Sequence, residues 1–206
     1  MLADRKPAKA PRAPRRTSTS LKGKPVVNVA VIGLGWWGRI MVKSLAASDT
    51  VRVVAAVEPD AALGAPLCAE FGIRHFASYA EVLRDAEVHA VILTTPNRLH
   101  EQQIIEAAEH GKHVFCEKPL ALSLASAERA VAACLRANVR LGIGHERRFE
   151  PPMLLVRQLI ADGSLGRVLH IEGHFSQNKF LALPPDNWRL SLEEAGCGPM
   201  TATGIH

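Results

Sequence analysis

The chain has 206 residues, 48% of them hydrophobic, and a formal net charge of +5 at pH 7. This apolar content excludes a wholly disordered protein, and the length allows one complete core and the beginning of a second. No run of 18 apolar residues is present, which excludes a membrane-spanning helix. The four cysteines, Cys68, Cys116, Cys134 and Cys197, form no CxxC pair. We therefore expect free thiols, no metal site and a reducing, cytoplasmic location.

The net positive charge comes entirely from the first 24 residues. They contain eight Lys or Arg against the single Asp4, which leaves 17 basic and 19 acidic residues in the rest of the chain. Prolines alternate with basic residues and almost nothing is apolar, so we expect residues 1–24 to form a disordered basic tail. A nucleic-acid or anionic-surface arm, an organelle transit peptide and an export signal built on Arg15 and Arg16 are alternative interpretations.

From Val26 onwards, short β-branched apolar runs alternate with segments of helical spacing. Such runs are typical of strands buried on both faces of a parallel sheet. The alternation predicts an α/β fold with a doubly wound parallel sheet and right-handed crossovers over residues 25–144. The six predicted strands are Val26 to Ile32, Val51 to Val57, Ile73 to Phe76, Val88 to Leu93, His113 to Cys116 and Val139 to Ile143. Helical spacing is clearest at Leu99, Ile104, Ile105 and Ala108 before a Gly111 C-cap, and at Leu124, Ala127, Val131, Cys134 and Leu135.

After Gly144 the pattern changes. One amphipathic helix is predicted first, then a longer strand from Arg167 to Phe175, then irregular chain around Pro184, Pro185 and Gly196 to Pro199. A lone strand leaves N–H and C=O groups unpaired along both edges, so residues 145–206 are expected to be the incomplete start of a second α+β domain. The apolar positions of the helix are Leu155, Val156, Leu159 and Ile160.

A glycine-rich turn, GLGWWG at residues 33–38, follows the first predicted strand and opens a helical stretch. This context is typical of a dinucleotide-binding Rossmann fold. Gly33 can make the tight turn, Gly35 lets the backbone approach a pyrophosphate, and Gly38 lets the helix pack on the strand. Trp36 and Trp37 are unusually large for such a turn; they either pack at a domain interface or contact the dinucleotide.

Glu58 stands at the end of the second predicted strand. A carboxylate there can accept hydrogen bonds from the adenosine ribose hydroxyls and would repel a 2′-phosphate. NAD is therefore favoured over NADP, although Arg39 or a rotated Glu58 would still admit NADP. Glu58 could alternatively serve only as the N-terminal charge of the next helix, a role better suited to Asp60.

Two further stretches are specific: TTPNRLH at residues 94–100 and GKHVFCEKPL at residues 111–120. With them the chain resembles the Gfo/Idh/MocA oxidoreductases from about Val26 to His206, including GHERRF at 144–149, Trp188-Arg189 and the final Gly204-Ile205-His206. The resemblance implies a Rossmann domain followed by a larger domain on an open, mainly antiparallel sheet. The chain stops where most of that sheet should begin, so it looks truncated.

The resemblance also implies site residues. Lys118, at the end of the fifth predicted strand, would act as the catalytic base before a Pro119 that is often cis, and His206 would share proton transfer. An Asp often stands four residues before that histidine, and here the place is taken by Ala202, which leaves a mechanism needing that carboxylate in doubt. The implied cofactor contacts are Thr94, Pro96, Asn97, Glu117 and Lys118, with helix capping as an alternative for Asn97. Arg147, Trp188 and Arg189 would orient substrate together with Lys118 and His206.

Three functions follow as hypotheses. The first is an NAD(P)-dependent oxidoreductase that moves a hydride between the cofactor and a sugar, inositol or related polyol, with a homo-oligomeric full-length form. The second is a truncated, non-catalytic dinucleotide-binding module or redox sensor, because catalysis needs a closed pocket over the nicotinamide. The third, a nucleic-acid-binding protein using the basic tail, would require a salt-sensitive interaction. The histidines His100, His113, His145 and His170 are expected to be structural or exposed.

Overall fold

A computed structural model describes residues 25–206 except 197 and 199. The predicted tail and Cys197 therefore lie outside the described residues. The centre of the fold is one sheet of six parallel strands in the order β3-β2-β1-β4-β5-β6. Strand order reverses direction between β1 and β4, which is the switch point of a doubly wound Rossmann sheet and the place where ligands bind in such folds. The predicted α/β fold is confirmed.

All six predicted strands are present, with ends displaced by at most two residues. The central strands are largely buried on both faces, as the nearly continuous hydrophobicity indicated, whereas Phe115 and Ile143 leave the last two strands partly exposed on one face. The observed bounds are β1 Val27–Ile32, β2 Val51–Val57, β3 Arg74–Phe76, β4 Ala90–Leu93, β5 His113–Glu117 and β6 Leu141–Gly144.

Helices cover both faces of the sheet. One core cluster contains Val29, Val31, Leu34, Val42 and Leu67, contributed by β1, the first helix and the second helix. The larger cluster lies on the other face, under the third, fourth and fifth helices. The helices are α1 Trp36–Leu45, α2 Ala61–Phe71, α3 Tyr79–Leu83, α4 His100–Glu109 and α5 Leu124–Arg136.

Local signals set the helix ends. The Asp60 carboxylate accepts a hydrogen bond from the Ala62 N–H and caps α2, as predicted, and the Ser123 hydroxyl accepts one from the Ser126 N–H at the start of α5. At the other end of α4, Gly111 follows the terminal turn with a φ of 69°.

The chain beyond β6 has little regular structure. The predicted amphipathic helix is present as α6 Pro151–Ala161, and a four-residue helix, α7 Leu192–Ala195, follows later. The remaining elements are short helical turns of 3-10 type at Glu146–Phe149, Lys179–Ala182 and Trp188–Leu190, and of π type at Met200–Gly204.

The predicted strand from Arg167 to Phe175 is wrong, since this segment is irregular. Its alternating apolar residues remain on the surface, with Leu169 85% exposed and Ile171 83% exposed. No strand lies beside it in the part of the chain that the structure describes. An extended segment without a neighbour gains no ladder hydrogen bonds, so strand propensity alone does not form a strand.

The other sequence expectations concern thiols and membranes. Cys68, Cys116 and Cys134 are buried free thiols. None of the helices within the described ranges is both long and apolar enough to cross a membrane.

Candidate functional site

The carboxyl ends of the parallel strands bring the chemically distinctive residues to one edge of the sheet. Gly33 follows β1, Glu58 follows β2, Thr94 follows β4 and Lys118 follows β5. This edge, at the switch point, is where ligands bind in open α/β sheets.

The glycine-rich turn has the geometry that a bound pyrophosphate requires. Gly33 has a φ of 89°, a backbone conformation that residues with a side chain rarely adopt. Its N–H donates to the Val57 carbonyl oxygen. A Cβ on Gly38 would overlap the Gly33 carbonyl oxygen, whereas a Cβ on Gly35 would meet nothing within 4 Å. The turn is therefore closed where helix packs on strand and open at the start of α1, where N–H groups face a ligand.

Glu58 is tied to this turn. One carboxylate oxygen accepts a hydrogen bond from the Leu34 N–H at 2.9 Å, and the other accepts one from the Asp60 N–H at 3.3 Å. A carboxylate has about four acceptor positions, so both oxygens can still accept from ribose hydroxyls. The Arg39 guanidinium donates to the carbonyl oxygens of Leu34 and Leu63.

A groove of about 350 Å³ runs past the turn. It is lined by Gly33, Gly35, Glu58, Thr94 and Pro96, which all belong to the predicted cofactor contacts. Trp36 and Trp37 also line it, with ring centroids 5.2 Å apart, and Trp36 is 68% exposed. These residues fit a nicotinamide dinucleotide, because the groove joins an open glycine turn to a carboxylate at the ribose end.

The loop after β4 connects the groove to the C-terminal segment. The Thr94 hydroxyl lies 2.9 and 2.7 Å from the carbonyl oxygens of Ile32 and Gly33, so it ties this loop to the glycine-rich turn. Asn97 is buried, and its amide donates to the Ala195 carbonyl oxygen at 3.0 Å. Asn97 therefore does not form the helix cap that the sequence left open; it bonds to α7 instead.

Glu117 is a buried carboxyl at the end of β5. One of its oxygens accepts from the Lys118 N–H at 3.3 Å, while the other is buried without a hydrogen-bond partner among the described residues. Burial raises the pKa of Glu117, and the charge of Glu146 adds to that shift, while Trp37 and Lys118 oppose it. A Cβ on Gly144 would overlap the carboxylate, so this glycine makes room for it.

Lys118 follows directly, and the Lys118–Pro119 peptide bond is cis. Its Nζ atom donates a hydrogen bond to the Ala202 carbonyl oxygen at 2.7 Å. Lys118 thus joins the edge of the sheet to the segment that ends in His206.

Lys118 and His206 line the same cavity of about 380 Å³. The His206 side chain is only 9% exposed, and its Nδ1 atom lies 3.6 Å from a carboxylate oxygen of Glu146. Burial lowers the pKa of His206, and the positive charges of Lys118, Arg147 and His145 lower it further, whereas the Glu146 charge raises it. The cavity and the cofactor groove share Trp36, Trp37, Thr94, Thr95, Trp188 and Arg189 as lining residues.

The predicted substrate residues also line this cavity. Arg147 stacks over the Phe175 ring at 4.7 Å and pairs with Glu150 at 3.1 Å. Arg189 stacks over the Trp188 ring at 4.3 Å, and burial lowers the pKa of its guanidinium. Arg148 is exposed.

The remaining histidines differ from one another. His113 and His170 are exposed, and His100 is fully buried with both ring nitrogens against carbonyl oxygens, as expected for structural or exposed residues. His145 is half-buried, and its ring lies 6.2 Å from the ring of His206, so it belongs to the cavity's surroundings.

Sequence reasoning assigned no role to several residues of the cavity, of which Glu146 is the most important. It lies in the GHERRF stretch two residues beyond β6, and its position after the carboxyl end of a parallel strand was the signal that could have identified it. Thr95, Phe175, Thr201 and Thr203 were also missed. Thr95 belongs to the TTPNRLH stretch, whereas nothing local marks Phe175, Thr201 and Thr203, because the fold of the C-terminal segment brings them in.

Comparison with known proteins agrees with this architecture. The sequence model described as "Oxidoreductase family, NAD-binding Rossmann fold" matches residues 27–145, and that described as "GFO/IDH/MocA C-terminal domain" matches residues 153–206. Both descriptions correspond to the order of sheet and C-terminal segment seen here.

Individual relatives match over most of the chain. A 1,5-anhydro-D-fructose reductase of Ensifer adhaerens is 36% identical over 158 residues, 75% of this chain and 46% of the relative. A putative NADPH-dependent oxidoreductase of Desulfitobacterium hafniense superposes with a TM-score of 0.82 at 30% identity, covering 89% of this chain and 53% of that one. A scyllo-inositol dehydrogenase of Lactobacillus casei with bound NAD(H) and scyllo-inositol gives a TM-score of 0.65 at 28% identity, over 68% and 42%.

The chain spans about half the length of the curated relatives that it matches. Its two matched segments together account for nearly all of the described residues, with the Rossmann match preceding the C-terminal-domain match. The chain belongs to the Gfo/Idh/MocA oxidoreductases, and its N-terminal sheet is their NAD-binding Rossmann fold.

Proposed function

We propose that this protein binds a nicotinamide dinucleotide along the glycine-rich turn and transfers a hydride between it and a hydroxyl carbon of a sugar, inositol or related polyol. Residues 25–144 would form the dinucleotide-binding domain, and residues 145–206 would begin the domain that holds the substrate. The relatives named above, a sugar reductase and an inositol dehydrogenase, support this substrate class.

One observation carries the proposal: Lys118 and His206, both able to move protons, line a cavity that shares six lining residues with the cofactor groove. A substrate in that cavity would lie between proton-transfer groups and the dinucleotide. This is the arrangement that alcohol oxidation requires, because the hydride and the proton leave from adjacent atoms.

In the oxidation direction, a nicotinamide dinucleotide held by the glycine-rich turn and Glu58 would supply the acceptor for the hydride that leaves the alcohol carbon. The hydroxyl proton moves to neutral Lys118 Nζ while the C–O bond becomes a carbonyl. His206 would donate a hydrogen bond to the same oxygen, and the stacked Arg147 and Arg189 would orient the remaining hydroxyls. In the reduction direction, Lys118 returns the proton to the carbonyl oxygen as the hydride adds to carbon.

The cofactor preference rests on Glu58. Its carboxylate lies beside the turn, held by the N–H groups of Leu34 and Asp60, so a 2′-phosphate would approach a fixed negative charge. Arg39 donates to two backbone carbonyl oxygens, so part of its guanidinium is already engaged by the protein. These contacts favour NAD, with NADP as the weaker ligand.

The first experiment is calorimetric titration of the purified 206-residue chain with NAD(H) and with NADP(H), followed by absorbance scans at the reduced-nicotinamide band with a panel of polyols. We expect tighter binding of NAD(H) and turnover with at least one polyol. Binding without turnover would support a non-catalytic dinucleotide-binding module instead, and absence of binding would contradict both functions.

A second experiment tests the base. Lys118→Ala, made in a form of the protein that turns over, should lower kcat by roughly 100- to 10,000-fold, the contribution typical of a positioned acid-base group, and leave dinucleotide affinity within about twofold. Lys43→Ala, which removes an exposed lysine from α1, is the matched control and should change neither quantity. Unchanged kcat in Lys118→Ala would remove Lys118 from the chemistry.

A further inference from the structure

Glu146 and His206 face each other across the cavity, although they lie 60 residues apart in the chain. A Glu146 carboxylate oxygen and the His206 Nδ1 atom are 3.6 Å apart, which is ion-pair distance. Both atoms are buried, and neither has a hydrogen-bond partner among the described residues. A carboxylate oxygen can accept from an Nδ1–H group, so each of these two buried atoms can satisfy the other, and leaving them unpaired costs free energy.

The electrostatic surroundings of His206 explain why a carboxylate is needed there. Lys118, Arg147 and His145 all disfavour a proton on the ring, and burial does so too. Glu117 is a second carboxyl of the cavity wall, but burial raises its pKa and its contacts are to Lys118 rather than to His206. Glu146 is thus the negative charge among the described residues that offsets this positive environment at His206.

The residue one turn before His206 in the C-terminal segment has no carboxylate. Ala202, one turn before His206, has a methyl side chain, and its carbonyl oxygen already accepts from Lys118. Glu146 instead comes from the 3-10 turn after β6, so its carboxylate reaches His206 from the sheet edge. A carboxylate at Nδ1 holds an imidazole in the tautomer and orientation that leave Nε2 directed at the reacting oxygen.

We propose that Glu146 is the positioning residue for His206, supplying from the end of β6 the carboxylate that the Ala202 position lacks. The expected effect of Glu146 on turnover rests on the proposed function. The Glu146–His206 pairing is independent of that function. Glu146 acts through His206 and touches no reacting atom.

The pairing is tested by NMR titration of the imidazole nitrogens, with the His206 signals assigned from a His206→Gln variant. We expect Glu146→Gln to lower the pKa of His206, because it removes the negative charge and keeps the shape. Ala202→Asp added to Glu146→Gln should move the pKa back up, since a carboxylate is restored one turn away. Glu128→Gln removes an exposed carboxylate on α5 and should leave the titration unchanged. A His206 titration that is identical in wild type and Glu146→Gln would overturn the proposal.

Misfolding is not expected to obscure the result, since 39% of the Glu146 side-chain surface is exposed. Circular dichroism checks this point, and if the Gln variant is unfolded, Glu146→Met, of similar volume, repeats the test. A pKa that falls in the folded variant supports the pairing, and a pKa that stays constant in it contradicts the pairing.

Turnover with a polyol found in the panel supplies the second readout. Glu146→Gln should lower kcat by roughly 10- to 100-fold with little change in KM for the dinucleotide, a part of what a positioned acid-base group contributes. Ala202→Asp should recover activity in the same background. If the His206 pKa shifts but no polyol is turned over, the pairing stands and the proposed function fails; if turnover occurs and is the same in Glu146→Gln, the positioning role fails and the function stands.

Discussion

The Nδ1 atom of His100 lies 2.7 Å from the carbonyl oxygen of Pro119, and the Nε2 atom of the same ring lies 3.0 Å from that of Thr95. His100 is 1% exposed and begins α4, so one buried ring joins the loop after β4 to the loop that carries Lys118. Both partners are acceptors, and burial is the largest influence on the ring and lowers the pKa of His100. A neutral ring donates to one of the two oxygens at a time.

Replacing His100 should therefore loosen both loops. We expect His100→Ala to lower the free energy of unfolding by about 2 to 4 kcal/mol, because it opens a cavity and removes the hydrogen bond that the ring donates to a carbonyl oxygen. It should also weaken dinucleotide binding. Urea denaturation and calorimetry measure the two effects, with exposed His170→Ala as the control. Equal stability of the two variants would show that the ring is not a structural link.

Two glycines of the same turn should respond differently to alanine. Gly38→Ala places a methyl group against the Gly33 carbonyl oxygen and should destabilise the fold, whereas Gly35→Ala meets nothing within 4 Å. Gly35 has a φ of −60°, which alanine adopts readily. We expect Gly35→Ala to keep its unfolding midpoint and lose dinucleotide affinity by at least about tenfold, because the methyl group occupies the approach of the pyrophosphate.

Thermal denaturation and calorimetric titration of both variants check this prediction. Each variant serves as the control for the other, since the change in side chain is identical. Retained affinity in Gly35→Ala would mean that no phosphate group passes over that position.

Glu58 should set the choice between NAD and NADP. Glu58→Gln keeps an acceptor for the Leu34 N–H but removes the charge, so we expect the ratio of NADP to NAD affinity to rise by roughly tenfold, which corresponds to about 1.4 kcal/mol. Asp60→Asn is the matched control, because asparagine caps helices as well as aspartate does and removes an equal charge two residues away. A ratio that changes equally in both variants would indicate a general charge effect rather than a contact at Glu58.

Glu117 should make stability depend on pH. Burial raises its folded pKa above the unfolded value near 4.3, so the folded state holds the proton more tightly and the protein loses stability as pH rises from the unfolded value through the raised folded value. Glu117→Gln removes this loss and keeps an acceptor for the Lys118 N–H. We expect the free energy of unfolding of Glu117→Gln, measured relative to wild type, to be higher at pH 7 than at pH 4. Urea denaturation in buffers at the two pH values measures it. A difference between the proteins that is the same at both pH values would contradict the raised pKa.

Sequence patterns predicted most of the fold because the information was local. The β-branched runs defined all six strands, and helical spacing located α5, although its buried face is formed by Ala130, Ala133 and Cys134 while Leu124 is exposed. The segment from Arg167 to Phe175 had an equally clear pattern and forms no strand. Its structure depends on a neighbouring strand, which local spacing cannot supply.

The sequence by itself determined the doubly wound sheet, the glycine-rich turn and the arrival of Glu58, Thr94 and Lys118 at one edge, because parallel strands all end on the same side of their sheet. Only the tertiary structure decided that Asn97 bonds to Ala195, that Lys118 bonds to Ala202 and that Glu146 faces His206. Those pairs are 60 to 98 residues apart in the chain, and their contact depends on how the C-terminal segment packs against the sheet rather than on any repeating local pattern.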